Sequence, residues 1–233
     1  MNRPSAPAVS PADLAAEPVP PPLDRPAPPG AEDAPAARRN AGPLLAVLRR
    51  VLPADGTILE IGSGTGQHAA AFAAALTPRR WLPTDPQPER LASAPLWAAM
   101  VPPELRPLPA RVLDARAAPD AWPVPANGAI QAVVASNVIH IAPWDVALGI
   151  LAGAASLLAD GEPLILYGPY KRADRHTGPG NIAFDASLRS RDPAWGIRDL
   201  ESELVPAAAA AGFVLDLVQA MPADNLTVVF RRR

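Results

Sequence analysis

Cysteine is absent from the 233 residues. Disulfides, thiolate metal sites and cysteine nucleophiles are thereby excluded. Histidine is nearly as scarce: His68, His140 and His176 stand far apart and form no metal-ligand spacing, so no metal is expected. Lysine occurs once, as Lys171, although lysine and arginine together number 21. With so much alanine and proline, this reads as compositional bias of the genome, and Arg39, Arg50 and Arg231-Arg232-Arg233 are first read as solvated charges. The net charge of -2 leaves no basic excess for a nucleic-acid footprint. No apolar run reaches a membrane span. The nearest, Leu204 to Ala220, is broken by Pro206, Gly212 and Asp216. A basic start followed by an apolar signal core is also missing, so a cytoplasmic protein with no membrane partner is expected.

Proline, in contrast, is abundant. It crowds residues 1–35, including Pro20-Pro21-Pro22, and a solvated, disordered Pro/Ala-rich tail is expected there. A proline-motif ligand for a partner domain is the alternative. The whole chain is 49% hydrophobic, and residues 36–233 have the length of one α/β domain.

The organising stretch is Thr57-Ile58-Leu59-Glu60-Ile61-Gly62-Ser63-Gly64-Thr65-Gly66-Gln67-His68. A short apolar run, glycines at alternate positions and an alanine-rich segment predict strand, tight turn and helix. Such a turn lets a ligand approach the main chain. In a dinucleotide turn of the form G-x-G-x-x-G, counted from Gly62, the third glycine would fall at position 67, which is Gln67. The pattern here is E-x-G-x-G-x-G, from Glu60 to Gly66, and it resembles the first motif of class I S-adenosylmethionine (SAM) methyltransferases. A plain βα turn or another nucleotide site is the alternative.

Around it, Leu44, Leu45, Val47, Leu48, Val51 and Leu52 give a helix face within Ala37 to Leu52. Arg38, Arg39 and Asn40 at its start either border a ligand cleft or form a solvated first turn. Further strands are expected at Arg80 to Pro83, Arg111 to Leu113, Ala129 to Ala135 and Pro163 to Tyr167. Helices are expected at Gln67 to Leu76, Pro88 to Met100, Trp144 to Leu158 and Asp199 to Ala211. A rigid loop is expected at Trp122-Pro123-Val124-Pro125. Phe213 to Ala220 and Asn225 to Phe230 read as a closing hairpin.

Ligands of parallel sheets sit at the carboxyl ends of the strands. Asp85, at the second strand end, is placed to accept from ribose hydroxyls; capping the next helix is the other reading. Asp114, after the third strand, either meets an adenine edge or is a surface turn. Asn137 and His140 follow the fourth strand. His140 is either a general base or a structural histidine. The long polar and aromatic stretch around 168–198 is expected as a cap insertion over the acceptor side, or as a surface excursion stapled by its own aromatics.

From about Ala36 onward the chain resembles a family of small uncharacterised SAM-dependent methyltransferase-like proteins that includes methyltransferase-like protein 26. The likeness rests on Leu59 to His68, Asn137 to Trp144, Leu166 to Tyr170, Phe184 to Arg189, Asp192 to Glu201 and Met221 to Leu226. It implies a Rossmann-like α/β methyltransferase fold: a seven-stranded, mostly parallel sheet with a C-terminal antiparallel hairpin. It also implies S-adenosyl-L-methionine as cofactor and leaves the acceptor open. Glu60, Gly62, Ser63, Gly64, Gly66, Asp85, Asp114 and Asn137 are the expected cofactor residues. His140 and Tyr170 are the catalytic candidates. Tyr170, Asn181, Asp185 and Arg198 are the acceptor-side candidates, Arg198 either pairing with an anionic acceptor or pinning the cap through Asp185 or Asp199. A small-molecule acceptor is favoured because no added nucleic-acid domain is present. A protein or RNA methyltransferase, a non-catalytic SAM-binding module and, more distantly, an NAD-dependent oxidoreductase are the competing readings.

Overall fold

Continuous apolar runs build the centre of the molecule. The computed structural model describes residues 9–124 and 130–233. Strand β1 (Thr57–Ile61) is buried along its whole length, as a strand with parallel neighbours on both sides must be. It pairs in parallel with β2 (Arg80–Asp85) on one side and β4 (Ile130–Ser136) on the other. β3 (Arg111–Val112) lies beyond β2, and β5 (Pro163–Pro169) beyond β4. The last strands, β8 (Phe213–Met221) and β9 (Asn225–Arg232), form an antiparallel pair, and β9 closes onto β5. The seven-stranded order is β3-β2-β1-β4-β5-β9-β8. β6 (Lys171–Arg172) and β7 (Arg175–His176) form a separate small hairpin. This is the expected α/β class, mostly parallel with a C-terminal antiparallel pair.

Alternation along the strands divides the core into two layers. On one face Ile58, Ala132, Val134, Ile165, Tyr167 and Val229 pack under α2 (Pro35–Val51) and α3 (Gln67–Ala75). On the other, Leu59, Ile61, Val133, Ala135, Leu166 and Phe230 pack under α6 (Trp144–Leu157) and α8 (Val205–Ala210). Both layers leave the carboxyl ends of β1, β2 and β4 open to ligands.

The structure departs from the sequence reading in four places. The expected solvated tail packs onto the domain from residue 9 onward. Within it, α1 (Pro11–Ala15) buries Leu14, which is 1% exposed, and Leu23 follows at 2%. The Gln219 side chain grips this segment: its carbonyl accepts from Val9 N at 2.8 Å and its amide donates to Val9 O at 2.6 Å. Proline density argued only against regular structure, and two leucines are enough to anchor an irregular strap. The helix expected over Pro88 to Met100 is two short ones, α4 (Pro88–Leu91) and α5 (Ala94–Ala99), because Pro95 withholds a helical N–H. The region around 168–198, expected as a cap insertion of poor apolar periodicity, contains a regular helix, α7 (Pro179–Arg191). Its buried positions are Asn181, Asp185 and Leu188, so its inward face is largely polar and gives no apolar stripe. Before α8, residues Leu200–Leu204 form a π turn, with Leu204 N donating to Asp199 O at 3.1 Å. Pro125 and Ala129, expected in a loop and at a strand start, lie outside the described residues. Among the described residues no helix is long and apolar enough to cross a membrane.

Candidate cofactor and acceptor site

The bend after β1 is held from beneath. Glu60, 2% exposed, accepts from Ser63 Oγ at 2.6 Å and from Trp81 Nε1 at 3.0 Å. Burial drives its carboxyl pKa upward against those two bonds. Ser63 also ties the bend to β2: its N–H donates to Thr84 O at 2.8 Å, and its Oγ accepts from Thr84 N at 3.1 Å. Glu60 and Ser63 thus shape the turn from inside.

Gly62 and Gly64 are left-handed, with φ of 73° and 54°. Their surroundings differ. A Cβ on Gly62 would lie 2.5 Å from Val138 Cγ2, whereas one on Gly64 would meet nothing within 4 Å. Gly64 therefore faces open space, and its N–H donates to Asp85 Oδ2 at 2.9 Å. The other Asp85 oxygen accepts from Gln87 N at 3.0 Å. The N-cap of the next helix is Gln87, without a side-chain cap bond, so Asp85 does not cap it; the carboxylate orders the chain after β2 through Gln87 N and lies at the glycine bend. At Gly66 the need is for packing, since a Cβ there would sit 2.6 Å from Ala94 Cβ.

Of these groups, Gly62 and Asp85 wall a cavity of about 260 Å³ that also includes Asp114, Asn137, Val138 and Trp195. Asp114 is half-exposed and bonds Arg116 at 2.7 Å, which lowers its carboxyl pKa. Asn137 follows β4 in a left-handed conformation, φ 57°, and stands on the wall. Trp195 was not foreseen. It comes from the cap loop and carries Arg191 over its ring at 5.1 Å.

Asn137 also borders a second cavity, of about 410 Å³. Its other walls are the start of α2, with Arg39 and Asn40, the β5 end at Tyr167, the β8–β9 turn at Ala223 and Asn225, and Ala15 of the N-terminal strap. Ala223 is itself left-handed, with φ 56°, a strained state for a side-chain-bearing residue. A polar relay supports this wall. His68 Nε2 donates to Asn40 Oδ1 at 2.7 Å and approaches Ala37 O at 3.2 Å; two acceptors on one nitrogen require the proton there. Burial pushes Tyr167 up to about 12, with the Asn40 amide and the Arg39 charge acting in the opposite direction. Tyr167 and Asn225 were also not singled out from sequence. For Tyr167 the available signal was its place at a strand end, the same argument that led to Asn137.

The remaining candidates lie elsewhere. His140 is 2% exposed, packed edge-on to Phe184 at 5.7 Å, with its Nδ1 unpartnered among the described residues. Burial, aided by the Arg198 charge, lowers its pKa from 6.5 to about 4. It lines neither cavity. Tyr170, 1% exposed, sits in the α6-side core with its pKa raised by burial. Asn181 donates to Asp224 O at 3.0 Å and so braces the β8–β9 turn from outside. Asp185 accepts from Ile197 N at 2.7 Å and His176 Nε2 at 3.0 Å; these bonds with Arg189 and Lys171 outweigh burial and lower its pKa. Arg198, 8% exposed, donates to the carbonyls of Ile139, Ala142 and Ala194. Its bonds go to main-chain oxygens, not to Asp185 or Asp199, and it stacks on Trp144 at 5.6 Å. Asn181, Asp185 and Arg198 are therefore staples of the cap and of the loop after β4. Neither cavity is lined by Asn181, Asp185 or Arg198 among the described residues.

The profile of a family described as "Protein of unknown function (DUF938)" matches residues 31–232. Among solved structures, the O-methyltransferase family 2 protein of Planctomyces limnophilus DSM 3776, in complex with apigenin, superposes with a TM-score of 0.68 at 21% identity, over 85% of this chain and 60% of that one. The S-adenosylmethionine-dependent methyltransferase SibL gives 0.66 at 21% identity, over 84% and 55%. Human N-acetylserotonin methyltransferase, in complex with SAM, gives 0.65 at 15% identity, over 84% and 52%. The chain spans little more than half the length of these proteins, and at such identities the likeness is one of fold.

Proposed function

We propose, from the premise that this chain belongs to the DUF938 family of proteins of unknown function, that it is a SAM-dependent methyltransferase acting on a small molecule. The observation that carries this reading is Asp85, which accepts from Gly64 N at the glycine bend and stands with Gly62 on the wall of a cavity that shares Asn137 with a second, larger one. A nucleoside-sized ligand and an acceptor can then meet at one residue.

SAM supplies a methyl group already activated on a sulfonium, so the protein has chiefly to position and to exclude water. In this reading Asp85 keeps lone pairs for ribose hydroxyls beyond those given to Gly64 and Gln87. Gly62 and Gly64 admit the methionine end to the backbone, while Glu60 and Ser63 hold the bend rigid beneath it. Asp114 offers an acceptor to the adenine amine. Val138 and Trp195 cover the nucleoside. Membership in the narrower group that includes methyltransferase-like protein 26, and a cytoplasmic location, belong to the same reading.

Calorimetry of the purified chain with SAM and with S-adenosylhomocysteine tests it. The wild type is expected to bind both, and Asp85→Ala to weaken both by roughly tenfold or more. A folded wild type that binds neither would end the proposal.

A further inference from the structure

We propose that the cavity beyond Asn137 is the acceptor site and that it takes a small organic carboxylate, held by Arg39 and methylated on oxygen without a protein base. This rests on the methyltransferase reading above and adds the class of acceptor to it.

Charge is the first argument. Among the described residues, Arg39 is the one charged side chain on the wall of the 410 Å³ cavity; the other polar walls, Asn40, Asn137, Tyr167 and Asn225, are neutral. Arg39 makes no ion pair among the described residues. Its neighbour Arg38 is instead committed to Asp33 and to the carbonyls of Leu23 and Arg25. A guanidinium without a carboxylate partner at a pocket mouth selects an anion and repels an ammonium.

Proton chemistry is the second. No histidine or carboxylate lines this cavity among the described residues. The Tyr167 phenol stays protonated at neutral pH, since burial raises it to about 12. His68 has its Nε2 proton engaged by Asn40 and Ala37, and burial lowers its pKa to about 4. An alcohol or phenol needs a base before it attacks, and an amine arrives as the repelled cation. A carboxylate is already anionic at neutral pH. Its oxygen gains the methyl group, the carbon–sulfur bond breaks with its electron pair left on sulfur, and no proton changes hands. The products are a methyl ester and S-adenosylhomocysteine. Tyr167 O–H and the asparagine amides are donors of the kind that orient a carboxylate.

The test uses the full chain saturated with S-adenosylhomocysteine. Ligand-observed NMR is run with matched sets: benzoate and phenylacetate, succinate and hexanoate, benzyl alcohol, benzylamine and inorganic phosphate. Carboxylates are expected to bind, and amines are not. Arg39→Ala should weaken carboxylate binding roughly tenfold or more, Arg39→Lys should restore part of it, and affinity for S-adenosylhomocysteine should stay within about twofold. A second arm incubates the protein with methyl-labelled SAM and small-molecule extracts. The labelled product is expected to release volatile methanol in mild alkali, as a methyl ester does. Preference for the amine, the alcohol or phosphate, unchanged binding in Arg39→Ala, no carboxylate bound at all, or an alkali-stable label would each overturn the carboxylate assignment while leaving the methyltransferase reading intact. Loss of S-adenosylhomocysteine binding by the wild type would instead remove both.

Discussion

Two glycines of one bend serve different ends, and substitution separates them. Gly64 opens onto free space and Gly62 is pressed against Val138. Gly64→Val is expected to cost about 1–2 kcal/mol of stability, the strain of a left-handed L-residue, yet to lower S-adenosylhomocysteine affinity at least about tenfold by filling the cradle. Gly62→Ala adds a 2.5 Å collision to the same backbone strain, so a stability loss of about 2–4 kcal/mol is expected. Denaturant titration beside calorimetry separates the two, and a Gly64→Val protein with wild-type affinity would contradict the cradle. The bend was legible in sequence because glycine spacing is local. Which glycine opens onto free space was not, because Val138 and Ala94 arrive from distant parts of the chain.

Among the elements, the N-terminal strap changes the picture most. It runs against α2 at Gly42, where a Cβ would stand 2.4 Å from Pro18 O. A glycine inside a helix costs about 1 kcal/mol relative to alanine, and here it permits the crossing. Leu14→Ala is expected to destabilise the protein by about 2–5 kcal/mol. Gly42→Val should lift the strap and expose residues 11–25 to limited proteolysis. Wild-type stability in Leu14→Ala would mean that the strap adds nothing to the core. Because Ala15 lines the acceptor cavity, lifting the strap should also weaken acceptor binding more than cofactor binding. The cap is held together from within. Its polar residues looked like a ligand surface, yet Asn181, Asp185 and Arg198 bind carbonyls, amides and charges of the same chain.

For the molecule as a whole, acid sensitivity follows from two buried imidazoles. His68 and His140 are each lowered from 6.5 to about 4, chiefly by burial. A depressed folded pKa means that the unfolded chain binds the extra protons. The stabilisation is therefore complete above pH 6.5 and is lost as pH falls through about 4. Its size is on the order of 3 kcal/mol for each group. Urea midpoints should fall between pH 7 and pH 4.5 by more than carboxylate titration alone produces, and His140→Phe should show a shallower fall. An unchanged slope in that variant would mean that His140 is not held neutral.

What the amino-acid order determined alone were features with a local cause. Continuous apolar runs became the buried parallel strands, alternate glycines became the bend, and acidic or amide residues came to stand at the ends of β2 and β4. Tertiary structure decided which polar groups remain for a ligand. That choice depends on partners remote in the chain: Val9 meets Gln219 across 210 positions, and Asn181 meets Asp224 across 43. Periodicity reports that a side chain is buried. It carries no information about which donor or acceptor awaits it, and that pairing separates the staples of the cap from Arg39 and Tyr167 at the mouth of the cavity.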